Sequence, residues 1–200
     1  MQETHRCVPV LEETSPSGAT TGPITVIAPG GTATSTNSFT VTVVSVLTFG
    51  PDADTYVQSD KPDKNFGSAI SMSADNLPIK HILQKFTVSG VGTGSVTSVK
   101  LRLYCVSASP TGGDFYRVAD NSWQETAVTW NTAPAADPTP VASLGPVAVN
   151  TWYEVDLTSL VTGDGTYSLR VASTSTDGAD YSTKEGTVGF APQLVVTLNT

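Results

Sequence analysis

In the segment SVKLRLYCV, Ser98 to Val106, Leu101, Leu103 and Cys105 fall on one side of an extended chain. Lys100, Arg102 and Tyr104 fall on the other. A period of two is the signature of a strand with one buried face, because successive side chains point to opposite sides. A slip of one residue would carry the Arg102 guanidinium into the core, so the register is strongly specified. Leu169 and Val171 oppose Arg170 in the same way. No window repeats apolar residues at helical spacing beyond about two turns. The nearest, VDLTSLVTG at Val155 to Gly163, is short enough to be a single turn. Thr, Ser, Val and Gly dominate the composition, and Thr and Val favour strands. These features predict an all-β chain.

The strand segments expected in the body are ADTYVQS, SAISMSA, HILQKFTV, SVKLRLYCV, FYRVA, VTWN, TWYEVDLT, TYSLRVAS, VGF and PQLVVTL. Gly, Pro, Asp and Asn separate them at the spacing of a sandwich or jelly roll. Upstream, ITVIAPGGTATSTNSFTVTVVSV, Ile24 to Val46, reads as two strands around a Pro-Gly-Gly turn, and no charged residue occurs from Thr14 to Pro51. The expected organisation is an extended arm or linker at 1–22, a β-hairpin at 23–48 and a self-sufficient β-sandwich at 49–200. An isolated hairpin is marginal in water and its open edges invite another chain.

The formal net charge of −8 opposes nonspecific nucleic-acid binding and an anionic membrane surface. No run approaches the roughly 20 apolar residues of a membrane helix. MQETHRCVPV shows no apolar signal-peptide core. Cys7 and Cys105 leave two readings open, a tail-to-body disulfide or two separate thiols.

Asp52, Asp54, Asp60, Asp63 and Asn65 crowd the first loop of the body. Hard oxygen donors of this kind suit Ca²⁺, with Asp54, Asp63 and Asn65 as the ligand candidates, although the spacing is not that of an EF-hand and solvated turn residues are the plainer account. Lys85, Arg102, Arg117 and Arg170 are expected on the outer sides of their strands. Were those strands neighbours, a cationic stripe would be placed to hold carboxylates through bidentate contacts. Trp123 reads equally as a loop staple and as a stacking platform, whereas Trp130 and Trp152 are expected in the core. Glu125 reads as a hydrogen-bonding anchor for its loop, and no nucleophile elbow, zinc motif or carboxylate pair points to catalysis.

Three ordered segments resemble the DNRLRE-type modules of secreted proteins. The first is ADTYVQSDKPDKNFGSAISMSAD, through Asp54, Tyr56, Asn65, Phe66, Gly67 and Ser68. The second is NSWQETAVTWNTAPA, through Trp123, Glu125, Val128, Thr129, Trp130, Asn131 and Pro134. The third closes the chain, through Ser182, Lys184, Glu185, Pro192, Leu194 and Val196. The resemblance spans about 52–198 and implies a non-catalytic jelly-roll module of extracellular or cell-surface proteins, some of which bind acidic polysaccharides such as alginate. It requires no cofactor, while jelly-roll carbohydrate modules often hold a structural Ca²⁺. GPITVIAPGGTATSTNSFTV is similar to the last two strands of an immunoglobulin-like TIG domain. Two functions follow as expectations: a polysaccharide-binding module, or a subunit of an extracellular filament or adhesin that joins other copies through its N-terminal strands.

Overall fold

The computed structural model describes residues 19–199, in two compact units that divide between Val43 and Val44. Cys7 and most of the expected arm lie outside the described residues, so the disulfide reading is not addressed.

The first unit is an antiparallel pair, β1 (Gly22–Ala28) and β2 (Gly31–Phe39). Pro29 and Gly30 make the turn, and Gly31 closes it at φ +138°, a conformation that a side chain would strain. Thr25 faces Thr34, their hydroxyls 3.2 Å apart. Among the described residues no third strand joins the pair, and Ile24, Val26 and Ile27 are exposed, Ile27 to 81 %.

The second unit has eleven strands: β3 (Val44–Phe49), β4 (Ala53–Gln58), β5 (Ser71–Asn76), β6 (Ile79–Val88), β7 (Ser95–Ser107), β8 (Gly113–Val118), β9 (Ala142–Leu144), β10 (Thr151–Asp156), β11 (Gly165–Ala172), β12 (Ala179–Ser182) and β13 (Gln193–Asn199). They form one curled antiparallel sheet folded into two layers. In the first layer, β7 pairs with β10 on one side, and with β13 and then β12 on the other, while β3 closes the edge beyond β13. The second layer runs β4–β6–β11–β8–β9. β5 connects them, pairing with β12 through Ser71–Ala74 and with β6 through Asp75 and Asn76. The architecture is the all-β jelly-roll-like sandwich that the alternation predicts.

Leu101, Leu103, Cys105, Tyr181, Leu194 and Val196 of the first layer pack with Ile82, Phe86, Phe115, Leu169 and Val171 of the second in one buried cluster. Val99, Leu101, Leu103 and Cys105 are all fully buried, as the period of two requires. A smaller cluster of Ala53, Val57, Leu83, Trp123 and Val128 lies on the other face of the second layer. The second layer is thus covered on both faces, which explains why Ile82, Leu83 and Gln84 are consecutive buried residues.

Several segments differ from the reading of the sequence. Residues 44–48, grouped there with the hairpin, belong to β3, which pairs with β13 and turns Leu47 and Phe49 onto the main core. VTWN is not a strand: Trp130–Thr132 is a 3-10 turn held by the Thr129 and Thr132 hydroxyls. VGF is irregular, and the short strands β9 and β12 carried no clear alternation. The VDLTSL segment makes one turn, with Leu160 N–H donating to Leu157 O at 2.9 Å.

Candidate functional site

The second signature segment forms a loop laid over the outer face of the second layer. Asn65 holds it: its side-chain amide donates to Glu125 O and Val128 O, both at 2.7 Å. Its Oδ1 accepts from Gly67 N–H. A Cβ on Gly67 would sit 2.3 Å from Glu125 O, so only glycine allows this approach. Asp63 accepts from the Asn131 side chain at 2.8 Å. Asp63 and Asn65 therefore act as loop fasteners, and among the described residues the acids gathered with Asp54 are Glu125 and Glu185 rather than Asp63.

Trp123 is the inner staple of the loop. It is only 6 % exposed, and its indole N–H donates to Ser168 Oγ at 3.0 Å. Lys85 covers it, with Nζ 4.7 Å from the ring centre and donating to Trp123 O at 2.6 Å and Asn121 O at 3.2 Å. Of the two roles open to Trp123, the structure shows the staple. Lys85 is correspondingly committed to loop carbonyls rather than to solvent.

The four cations do not make a stripe. Lys85 and Arg170 share the outer face of the second layer, beside Ser168 and Leu83 in register. Arg117 stands opposite Leu169, on the inward side with Phe115, and escapes the core only because it is at the layer's rim. Its side chain is 55 % exposed and lies 3.8 Å from Asp137. Arg102 belongs to the other layer, where Gln193 and Glu154 engage it and its guanidinium lies 4.9 Å from the Trp152 ring. Alternation counted from Phe115 places Arg117 inward, and the assignment of β7 to the opposite layer separates Arg102 from the rest.

Arg170 opens into a cleft of about 270 Å³ bounded by Val57, His81, Trp130 and Ala133–Ala135. Its Nε is buried without a hydrogen-bond partner, and its guanidinium is 6.0 Å from the Tyr116 ring. Among the described residues no carboxylate lies within ion-pair distance of it, so the charge has no counter-ion. Burial lowers its pKa, although an arginine of this kind remains charged. Trp130 stacks on His81 with ring centres 5.1 Å apart. Burial, reinforced by the Arg170 charge, lowers His81 to about 4, so its imidazole is neutral at pH 7. The cleft joins an uncompensated cation to an aromatic wall, a combination fitted to a carboxylate on a partly apolar ring.

His81 and Trp130 were not among the predicted site residues. His81 could have been placed from its alternation with Leu83 and Lys85, whereas Trp130 depends on the 3-10 turn. Trp152, expected in the core, lies on the outer face of the first layer opposite Tyr104, because β10 turns Tyr153 and Val155 inward. Tyr104 stacks on Phe190 at 4.0 Å and meets Trp152 at 5.4 Å.

A separate polar cluster closes the bottom of the signature loop. The Asp54 side chain is fully buried, with its backbone N–H donating to Glu125 Oε1 at 2.7 Å. Lys184 N–H donates to Asp54 Oδ2 at 2.9 Å. The Lys184 ammonium contacts Glu125 Oε1, lies 3.2 Å from Glu185 Oε1 and 3.7 Å from Asp54 Oδ1. Burial pushes Asp54 up to about 7, against the lowering effect of the Lys184 N–H. Burial also works to lower Lys184, but hydrogen bonding and attraction to Glu125 outweigh it and raise its pKa. Asp54, Glu125 and Glu185 could together face one cation, and the ammonium already takes that position. Glu125 is thus an anchor, as its place in the motif suggested.

The sequence model of carbohydrate-binding module family 96 matches residues 45–198, from β3 to β13. The hairpin lies outside that match. No curated protein matches the chain.

Proposed function

The chain belongs to carbohydrate-binding module family 96, and on that premise we propose that it is an extracellular, non-catalytic module that holds an acidic polysaccharide in the Arg170 cleft. The observation that carries this reading is the lone Arg170 charge beside the Trp130–His81 wall. A uronate would place its carboxylate on the guanidinium and lay an apolar sugar face along the rings. A neutral sugar would leave the half-buried arginine without a carboxylate, so the site discriminates by the charge-assisted contact that only a uronate supplies. The net charge of −8 repels a polyanion at long range, and short-range contacts in the cleft must outweigh it.

Affinity electrophoresis through gels holding alginate, pectin or a neutral β-glucan tests this. Retardation by the uronates alone, lost in Arg170→Gln, is the expected result. Equal mobility in every gel would remove the assignment.

A second reading is favoured by the hairpin. Its apolar residues Ile24, Val26 and Ile27 are exposed, and among the described residues each of its strands pairs on one edge alone. We infer that this arm pairs with another copy by strand addition, and a head-to-tail contact of that kind extends into a filament. Light scattering on the chain with and without residues 1–43 distinguishes the cases. Association that depends on the arm supports it, and monomers in both preparations exclude it.

A further inference from the structure

We propose that Lys184 and Asp54 are joined by an intramolecular isopeptide bond, formed with Glu125 as the proton carrier. The three groups come from distant parts of the chain: β4, the signature loop and the turn after β12. Lys184 Nζ lies 3.7 Å from Asp54 Oδ1, on the side of the carboxyl whose carbon the amine would reach. Asp54 is a fully buried side chain, and its Oδ1 has no hydrogen-bond partner. A structural ion pair would be expected to satisfy that oxygen. Of the three carboxylates around the ammonium, Asp54 alone is withdrawn from water, and a charge on it there costs free energy unless it is removed. Amide formation removes one cation and takes Asp54 out of titration.

The reaction needs no outside reagent. Glu125 Oε1, in contact with Nζ and steadied by Asp54 N–H, takes a proton from the ammonium. The amine lone pair forms a bond to Cγ of the protonated Asp54 carboxyl. Electron density moves onto Oδ2, where Lys184 N–H donates at 2.9 Å and stabilises the developing charge. Reformation of the Cγ–Oδ2 double bond breaks the bond from Cγ to Oδ1. Glu125 gives the proton it already holds to the leaving hydroxyl, then takes a second proton from the attacking nitrogen, and one water departs. The products are an amide between Asp54 Cγ and Lys184 Nζ, a water molecule and a protonated Glu125, which returns its proton to solvent. Burial favours the protonated acid that the step consumes, and the full burial of the Asp54 carboxyl opposes the reverse hydrolysis.

The test is the intact mass of the denatured full chain, followed by peptide mapping. The wild type is expected to be lighter than its sequence by one water, with one branched peptide linking Lys184 to Asp54. Lys184→Arg and Glu125→Gln are expected at full mass. Glu125→Gln retains most of the shape of the site, and its Tm is expected to fall by roughly 10 °C or more, because the bond closes a long loop. A full-mass wild type overturns the proposal. A branch to Glu125 or Glu185 overturns the choice of Asp54, and a mass deficit retained in Glu125→Gln overturns the proton carrier.

Discussion

The two outer faces of the sandwich carry similar residue types in opposite circumstances. On the first layer β7 and β10 carry only the Phe190 ring over Tyr104, and each cation there has an acid across the ladder. Lys100 meets Asp156 at 2.7 Å and Arg102 meets Glu154 at 3.4 Å. Hydrogen bonding from Lys100, then from Thr158, holds Asp156 well below the usual carboxylate range. The aromatics Tyr104, Trp152 and Phe190 pack on one another. On the second layer a loop covers the sheet, Trp123 becomes core, Lys85 is spent on backbone carbonyls, and Arg170 is left without an acid. Covering a face takes its polar groups out of water and away from counter-ions. A charge that ends up unpaired there is available to a ligand in a way that a paired surface charge is not.

That contrast can be broken by substitution. Trp123→Ala should cost about 3–5 kcal/mol, since it removes a buried ring and orphans a hydroxyl. Trp152→Ala on the open face should cost about 1 kcal/mol, and urea unfolding of the pair reads the difference. Equal losses would show that the covered face is not a second core.

His81 sharpens the contrast through pH. Its folded pKa of about 4 is below its ordinary 6.5, so the unfolded chain binds the proton first. The associated stability is complete above pH 6.5 and is lost as pH falls toward 4, by at most about 3 kcal/mol. Subtracting the stability–pH curve of His81→Phe from that of the wild type isolates the contribution. A difference that stays constant across this window would contradict the burial of the imidazole.

Smaller effects concern binding and the surface pairs. Arg170→Gln should weaken uronate binding about tenfold or more, while Arg102→Gln changes it less than about twofold, as calorimetric titration would show. The reverse order would move the site to the open face. Lys100→Ala should shift the urea midpoint by an amount equivalent to about 0.5 kcal/mol or less, because the pair is solvent-screened. A loss several times larger would mean that the open face is less solvated than its geometry indicates.

Much of the fold is legible in residues 98–106 and 169–171, where alternation states both the strand and its buried side. The signature residues are legible as a group, and the structure supplies their reasons: Asn65 clamps two carbonyls, Gly67 admits the loop, Trp123 staples it and Glu125 anchors Asp54. The cleft was less legible. Arg170 was named on its charge, but its partners come from β6 and from a 3-10 turn whose Thr-Trp-Asn sequence resembles a strand. Arg117 shows the converse error, since its own alternation with Phe115 places it inward.

Period-two patterning is a local property, and it follows from where successive Cβ atoms point. For that reason the class of fold and the buried face of each long strand could be read along the chain. Which strands become neighbours depends on loops closing over tens of residues, and on which apolar faces then meet. Those long-range contacts put Arg102 and Arg170 in different layers, drew residues 44–48 into the sandwich, and brought Asp54, Glu125 and Lys184 together. The chemistry proposed for this module rests on such meetings, because a charge acquires its strength from what surrounds it in space.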